Sequence, residues 1–431
     1  MAASYAADYS AEAAPASALS LVSGRAGSAL AFLIPVLQFI RFHLVGTLYA
    51  SDLLAFGVLM LAVVSDTHVL SRRLPRTFLA LGLLWLLAQV ITDLIRATPF
   101  HDYTRGWAMI AFALVNFAAL YLLLNGNRRR IVLCALGFAV GDLLTYCFNP
   151  DVFSAIYPWK FGYGYAVSLF VVLIAVFFNS RGRGMLAIAV MMAAAGLNLY
   201  HGYRSLAGEC FIAAAYLLLS WPISRRKQGL EGASPGQAFV ACVVLALSTA
   251  GLLRIYAYCA GNDLLGYAAW QKYEIQSSGR YGVLIGGRGG FLTGLEAAVN
   301  SPIVGHGSWA KDWRYASREN AMLAGFGYET LGRASSWLIP AHSYLVGAWV
   351  HAGILGALFW LWVFSLPVRV LMRLYTRHEP IAPLLAFLST GLIWDVLFSP
   401  FGATARLSAS FVVVTLIRFL EADAESGGAV A

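Results

Sequence analysis

Four cationic side chains, in a chain otherwise poor in charge, are of the types that phosphate chemistry uses. Arg204 lies in HGYRSLAGECF, Arg280 and Arg288 lie in SSGRYGVLIGGRGGF, and His342 lies in IPAHSYLVGAWVHAGILG. A planar guanidinium binds phosphate oxygens through parallel hydrogen bonds and stays charged at physiological pH. A histidine, whose ordinary pKa is near neutrality, accepts a proton from a hydroxyl group. Arginines with a histidine therefore suit group transfer from a phosphate leaving group to a hydroxyl.

The composition is that of a protein that lies largely in a membrane. Of the 431 residues, 60% are hydrophobic and only 12% are charged, whereas soluble domains carry about 25% charged residues. The mean hydropathy is +0.70. Apolar runs of about 20 residues recur without the alternation of barrel strands. The sequence therefore predicts an all-α integral membrane protein that is surrounded by membrane lipids.

The apolar runs predict about twelve transmembrane helices, nine within residues 28–259 and three within 342–421. Arg41 and His43 interrupt the first run. Residues 1–27 are predicted to form a flexible tail, as are residues 422–431. The predicted spans are 28–47, 52–70, 77–96, 106–125, 131–148, 161–179, 184–200, 205–222, 237–258, 343–366, 381–399 and 405–421.

Arginine-rich loops alternate along the chain with loops rich in aromatic residues, proline and histidine. The first kind includes 72–76, 128–130 and 225–227, and the second includes TPFHDYTR and FNPDVFSAIYPWK. The positive-inside rule assigns the first kind to the cytoplasm, and an even number of spans then makes both termini cytoplasmic. The net charge of +9 follows from these loops, so no nucleic-acid partner is expected.

The longest polar segment, 260–341, is predicted to be one large loop on the other side of the membrane. Loops of this length are usually functional or separately folded. The loop contains PIVGHGSWAKDW, in which Gly305 and Gly307 flank His306 and suit a turn with positive φ or a close approach to a ligand. His306 and Trp309 are candidate substrate contacts, although turn histidines and interfacial tryptophans are more common.

Several kinds of chemistry find no support in the sequence. It contains no G-x-x-x-x-G-K-[ST] motif, no H-E-x-x-H motif and no Asp-x-Asp pair for a metal-bound nucleotide sugar. Its five cysteines are scattered, which predicts neither a disulfide framework nor a zinc site. We therefore expect no metal and no cofactor. A reaction outside the membrane, where ATP and nucleotide sugars are absent, would need an activated donor such as a lipid diphosphate.

Two stretches together resemble the signature of the O-antigen ligase and O-antigen polymerase family. They are RGGFLTGLEAAVNSPIVGHGSW and IPAHSYLVGAWVHAGILGALFW. In that family an arginine opens a short helix, the helix leads to a Pro-x-x-Gly-x-Gly turn, and a histidine follows later in the chain. Arg288 matches the arginine, Pro302, Gly305 and Gly307 match the turn, and His342 matches the histidine.

The YRSLAGE stretch resembles an earlier segment of the same family, so that Arg204 matches a second arginine. The resemblance covers roughly 195–365. Two departures are visible: Ser343 follows His342 where the family often has asparagine, and Tyr203 precedes the arginine where it has serine. These departures leave the subfamily open, and with it the acceptor.

The resemblance implies a metal-independent glycosyltransferase of the GT-C type in the bacterial inner membrane, with a periplasmic active site. Arg204 and Arg288 would bind the diphosphate of an undecaprenyl-diphosphate-linked oligosaccharide, and His342 would activate the acceptor hydroxyl. Arg280 is a further candidate for substrate binding. Glu209 is expected to orient Arg204. Expected partners are this donor, a glycan or lipid A-core acceptor, and a regulator of chain length.

Three functions remain open at this point. A polysaccharide polymerase would join lipid-linked repeats into an exopolysaccharide or O-antigen chain. An O-antigen ligase would use the same chemistry to attach the glycan to lipid A-core. A transporter or flippase for lipid-linked glycans also needs many helices, but it would place its charged residues in helices that line a central path.

Overall fold

Helices dominate the computed structural model, which describes residues 24–63, 68–226, 236, 250–251, 254–277, 289–325 and 337–428. They are α1 (Gly24–Val36), α2 (Ala50–Val63), α3 (Arg73–Ile95), α4 (Phe100–Leu124), α5 (Arg128–Phe148), α6 (Val152–Ile156), α7 (Gly164–Ser180), α8 (Gly184–Tyr200), α9 (Arg204–Arg226), α10 (Tyr267–Ser277), α11 (Gly289–Asn300), α12 (Trp313–Gly325), α13 (Tyr344–Ala352), α14 (Ile354–Leu374), α15 (Ala382–Phe398) and α16 (Ala405–Gly428). Strands β1 (Arg41–His43) and β2 (Thr47–Tyr49) form an antiparallel hairpin. Residues 254–261 are also helical.

Six of the described helices are long and apolar enough to cross a membrane. They are Arg73–Ile95, Phe100–Leu124, Arg128–Phe148, Pro158–Ser180, Arg204–Pro222 and Ile354–Leu374. Shorter apolar helices include α8 and α15 with 17 residues each, or about 26 Å of length, close to the roughly 30 Å of a hydrocarbon core. The prediction of an all-α, multi-pass membrane protein is thereby confirmed. The count of twelve spans and the GT-C type stay predictions.

Most predicted spans coincide with described helices to within two turns. This holds for the runs from 77–96 to 205–222, and for 381–399 and 405–421. In these runs the apolar stretch is continuous and ends at a cluster of charged or turn-forming residues, so hydropathy alone locates the helix. The predicted span 237–258 lies largely outside the described residues.

The first predicted span, 28–47, is not one helix. α1 ends at Val36, a 3-10 turn follows, and the chain then enters the hairpin. The guanidinium of Arg41 donates to the carbonyl of Asn149 at 2.9 Å, and the amide of Asn149 donates to the carbonyl of Phe39 at 2.8 Å. These bonds satisfy backbone groups that a continuous helix would satisfy itself. They also place a charge outside the helix instead of within an apolar span.

The predicted span 343–366 consists of two helices, α13 and α14, which meet at Gly353. This residue has φ +68° and ψ −162°, a conformation that essentially only glycine adopts. A Cβ atom at this position would overlap the carbonyl oxygen of Ile303. The helix is therefore interrupted where the large loop packs into it, a contact that hydropathy does not report.

The large loop, predicted at 260–341, contains α10, α11 and α12 among its described residues. Its base is closed by a β-bridge between Lys311 and Leu338 and by a hydrogen bond from the amide of Asp312 to the carbonyl of Trp337. α11 and α12 pack on α13 through a small apolar cluster. Its members are Ala297, Ala298, Tyr315, Ile339, Val346 and Val350. The described part of the loop is therefore a folded unit attached to the bundle.

α15 holds a central position among the helices that carry the candidate residues. It packs against α7, α9, α13 and α14, and every residue from Ala382 to Thr390 is buried. A helix that is apolar on all sides is stable only when it is surrounded by other helices or lipid. The buried first half of α15 therefore anchors the helix in the bundle, and its C-terminal turns, which are mostly half-buried, lie beneath the elements that meet there.

Candidate functional site

Residues 302–308, which we call the clamp segment, fill the break between α13 and α14. The amide of His306 donates to the carbonyl of Val350 at 2.7 Å, and the amide of Gly307 donates to the carbonyl of His351 at 3.1 Å. Both carbonyls belong to the last turn of α13, where a helix leaves its C=O groups without internal partners. The clamp segment thus caps α13 from a distant part of the sequence.

The two glycines of the clamp segment are required by its geometry. Gly305 has φ +82° and Gly307 has φ +92°, as the sequence predicts. A Cβ atom on Gly305 would lie 2.7 Å from the amide nitrogen of Gly353, and one on Gly307 would lie 2.6 Å from Oγ1 of Thr98. The close approach that the glycines allow is therefore to the protein itself. Their contact with substrate stays a prediction.

A buried carboxylate of α3 holds the clamp segment from the other side. Asp93 is 2% exposed. It accepts hydrogen bonds from the backbone amide of Ser308 at 2.6 Å, the hydroxyl of Ser308 at 2.7 Å and the indole of Trp107 at 2.8 Å. Arg96 donates two bonds to the carbonyl of Gly305 at 2.7 and 3.0 Å. Because a buried carboxylate is stable only when it is hydrogen-bonded, these bonds fix the clamp segment to α3.

His306 and Trp309 are both engaged by neighbouring parts of the fold. Nε2 of His306 lies 2.8 Å from the carbonyl oxygen of Ala297 in α11. The ring of Trp309 is stacked with His351 at 6.2 Å between centroids, and the guanidinium of Arg105 lies 4.2 Å from its centre. These contacts join α4, α11 and α13 around the clamp segment. Sugar or diphosphate contacts of the two residues remain untested expectations.

His342 is exposed and lies against the first turn of α11. A Cβ atom on Gly290 would overlap Nδ1 of His342 and lie 2.8 Å from Oε1 of Glu319. The described part of α11 begins at Gly289, and both Arg288 and Arg280 lie outside the described residues. The imidazole therefore lies against the first described turn of α11. Arg288, one of the predicted catalytic arginines, immediately precedes this turn in the sequence.

Arg204 begins α9 and is held by Tyr256. Its Nη1 donates to the tyrosine hydroxyl at 2.8 Å, and the guanidinium carbon lies 5.1 Å from the ring centre. Tyr256 is buried within the helical segment 254–261. Glu209, expected to orient Arg204, faces α15 instead, since a Cβ atom on Gly391 would lie 3.3 Å from its Oε2. Five positions along a helix turn a side chain by about 140°, so the expected pairing is wrong.

His342 and the start of α11 both reach the C-terminal turns of α15. The hydroxyl of Ser343, next to His342, donates to the carbonyl of Val396 at 2.8 Å. Phe291 in the first turn of α11 contacts Phe398, with 5.9 Å between ring centroids. α13 and α11 therefore present their N-terminal turns to one place, above the end of α15.

The start of α9 points to the same end of the bundle. Glu209, in its second turn, approaches α15 at Gly391. Farther along α9, the hydroxyl of Tyr216 donates to the carbonyl of Leu371, near the opposite end of α14. Because α9 runs from the first contact towards the second, Arg204 lies at the end of the bundle that carries His342.

Three acidic side chains lie beneath this end of the bundle. Asp142, Glu209 and Asp395 all interact electrostatically with the hydroxyl of Tyr165. Asp395 also interacts electrostatically with Tyr344, two positions after His342. Each of these three acidic residues is half-buried. Ionisable groups inside a helical bundle usually face a cavity or a partner, so the floor of the candidate site is acidic.

No metal cluster is evident in the part of the chain that the structure describes. In these residues, no group of three or more His, Cys, Asp or Glu side chains is arranged to hold a metal ion. The absence of a metal from the reaction stays a prediction, because residues 278–288 and 326–336 of the large loop lie outside the described residues.

No protein-family model matches the sequence, and no curated protein matches it significantly. The family resemblance therefore stays an expectation drawn from its motifs.

The clamp partners on α3 were not among the residues predicted from the sequence. A signal for them exists, because Gln89, Thr92 and Asp93 place polar groups three to four positions apart in an apolar run. Such a stripe inside a membrane span indicates a partner within the protein. The sequence does not say that the partner is a turn more than 200 residues away, at Ser308.

Proposed function

We propose that this protein is a polysaccharide polymerase, a metal-independent glycosyltransferase of the bacterial inner membrane. It would transfer a glycan from undecaprenyl diphosphate to another lipid-linked repeat at the periplasmic face. One observation supports this most: His342 lies against the first described turn of α11, which follows Arg288 in the sequence, at the same end of the bundle as Arg204. These residues come from separate parts of the sequence, and glycosyl transfer from a lipid diphosphate needs their combination.

The reaction follows from the chemistry of these groups. The acceptor hydroxyl attacks the anomeric carbon of the donor sugar while the bond from that carbon to the diphosphate oxygen breaks. His342 takes the hydroxyl proton, and the lipid diphosphate leaves with the bonding electrons. Arg204 and Arg288 stabilise the charge that grows on the leaving group. A single direct displacement inverts the configuration at the anomeric carbon.

Tyr256 contributes by holding Arg204 before the donor binds. A guanidinium that already has one hydrogen bond and one ring contact loses less rotational freedom when it meets a phosphate. The guanidinium has further N–H donors, which suit a second acceptor. The clamp segment has a comparable role, since it fixes α11 relative to α13.

The direct test is transfer by the purified full-length protein with a defined lipid-linked repeat, with and without a lipid A-core acceptor. A polymerase lengthens lipid-linked chains in the absence of lipid A-core, and nuclear magnetic resonance of the product reports the anomeric configuration. Transfer that occurs only onto lipid A-core identifies a ligase. A protein that moves the lipid across vesicles without extending it is a transporter, and that result contradicts the proposal.

A further inference from the structure

A cavity lies at the end of the bundle opposite to the candidate site. It has a volume of about 760 Å³, and we call it the basic cavity. The start of α3, the last turns of α14 and the end of α16 form its walls. Its polar lining includes Arg72, Arg73, Arg369, Arg373, Thr77 and Glu421.

The arginines of the basic cavity act on each other as like charges. Arg369 donates to the carbonyl and hydroxyl of Ser365 at 3.3 and 3.1 Å. Within the described residues, the charged groups that act on it are Arg373 and Arg73, both of which are cations. Arg369 is half-buried, whereas the other three arginines of the cavity are exposed. Like charges that converge on a half-buried guanidinium repel one another, and an anion between them removes this repulsion. The arrangement therefore favours a negatively charged ligand.

Glu421, the acidic residue of the basic cavity, also interacts with partners outside the cavity. Glu421 accepts the hydroxyl of Tyr121 on both oxygens, at 2.8 and 2.9 Å. It also lies 3.4 Å from a guanidinium nitrogen of Arg418 and 3.9 Å from one of Arg72. Among the described side chains, Glu421 is the one carboxylate that accompanies the four arginines of the cavity and Arg418 beside it. The net charge of these described side chains is positive.

Apolar side chains line the same space. Leu74, Trp362 and Leu420 are part of its wall, and both α3 and α14 are apolar enough to cross a membrane. Guanidinium groups beside apolar walls match a phosphate that carries a hydrocarbon chain, and basic pockets between transmembrane helices bind lipid head groups of this kind. The volume is within the range of small-ligand sites, about 300–1,000 Å³.

The positive-inside rule explains why arginines are frequent at this end, but it does not explain their convergence. Arg76 and Arg129 satisfy the rule equally well. Like Arg73 and Arg373, both are exposed, but neither lines the basic cavity. Arginines that set the orientation of the protein in the membrane therefore do not need to line a cavity.

We propose that the basic cavity binds a phosphate group, carried either by the head of an anionic membrane lipid or by free phosphate. The guanidinium groups of Arg73, Arg369 and Arg373 would bind the phosphate oxygens, and Trp362 and Leu420 would contact an attached chain. This inference does not depend on the proposed transferase activity, because the cavity and the candidate site lie at opposite ends of the bundle.

The test uses the full-length protein in a neutral detergent, with native mass spectrometry and thermal unfolding as readouts. The probes are phosphatidylglycerol, zwitterionic phosphatidylethanolamine and inorganic phosphate. The double variant R73Q/R373Q should bind phosphatidylglycerol roughly 25-fold more weakly than the wild type, since each arginine near a membrane surface contributes about fivefold. The matched control R76Q/R129Q removes the same charge outside the cavity and should bind normally.

The probes separate the two sources of phosphate. Selective retention of phosphatidylglycerol identifies a lipid ligand, whereas equal protection by inorganic phosphate identifies a free anion. The variant R73K/R373K keeps the charge and removes the planar donors, so it guards against a loss that comes from misfolding, and it should bind with intermediate affinity. Equal weakening in both glutamine variants, or binding of neither phosphate source by the wild type, overturns the proposal.

Discussion

Arginines serve different purposes at the two ends of α3. At one end, Arg96 donates to Gly305 and Ser301 and so fixes the clamp segment. At the other, about 34 Å away along a 23-residue helix, Arg73 lines a cavity with other arginines. The residue type is the same, and the partner decides its use. Arg96, bonded to a carbonyl and a hydroxyl of a distant segment, stabilises the fold, whereas we propose that the grouped arginines bind an anion.

The two histidines of the candidate region differ in the same way. His306 is half-buried and bonded to a backbone carbonyl of α11, so it stabilises the loop. His342 is exposed beside the start of that helix, where an acceptor can approach. Contact geometry thus separates a structural histidine from a candidate general base, although both lie in motif-like sequence.

The largest expected effect is that of removing the candidate base. His342→Ala should lower turnover by about 100- to 10,000-fold, the usual contribution of a positioned general base. The transfer assay with a lipid-linked repeat measures it. His378→Ala is the matched control, because His378 is exposed and lies after the distant end of α14, and it should retain full activity. Wild-type turnover in the His342→Ala protein would exclude the catalytic role.

The second-largest expected effect concerns the break at Gly353, where the clamp segment packs, and it is an effect on stability. Gly353→Ala should destabilise the protein by more than about 3 kcal/mol, because strain at this backbone conformation adds to the overlap with the carbonyl of Ile303. Thermal unfolding in detergent reports it. Gly126→Ala is the control, since Gly126 has φ +66° and open space around it. It should cost only about 1 kcal/mol. Similar losses in both variants would mean that strain alone acts at Gly353.

Hydropathy predicts the long helices of this protein because each is set by a continuous apolar run. It fails at 28–47, where Arg41 bonds to Asn149, and at Gly353, where a loop enters the helix. In both places the deciding contact joins residues that are far apart in sequence. A single sequence does not encode such contacts in any local pattern.

The candidate site, like the fold, was predictable from the sequence only in part. The positions of His342 and Arg204 at one end of the bundle agree with the alternating charge of the loops. The positive φ of Gly305 and Gly307 follows from their place in a turn. The partners, however, came from the structure: Tyr256 holds Arg204, and Glu209 faces α15. Helical spacing separates Glu209 from Arg204 by about 140°, but it does not tell which neighbouring helix each side chain meets.

A methyl group at Gly290 tests whether the position of His342 matters. Gly290→Ala should lower turnover by about 10- to 100-fold, because the new Cβ would displace the imidazole and misplacement of about 1 Å commonly has such an effect. Alanine suits a helix, so unfolding temperature should hardly change. Gly196→Ala, with open space around it in α8, should leave both quantities unaltered. Full activity of Gly290→Ala would show that the imidazole moves aside without consequence.

The smallest expected effect is that of Tyr256→Phe. It tests whether the hydrogen bond that positions Arg204 matters separately from the guanidinium itself. Tyr256→Phe removes the hydrogen bond to Arg204 and keeps the aromatic ring beneath it. Transfer should fall by about 3- to 10-fold, the size of one such bond, with the change in KM for the lipid-linked donor. Arg204→Lys should be worse, since a lysine cannot bind the diphosphate through two parallel bonds. If Tyr256→Phe changes turnover at saturating donor and not KM, the tyrosine acts in the chemical step, and the guanidinium is positioned by the diphosphate itself.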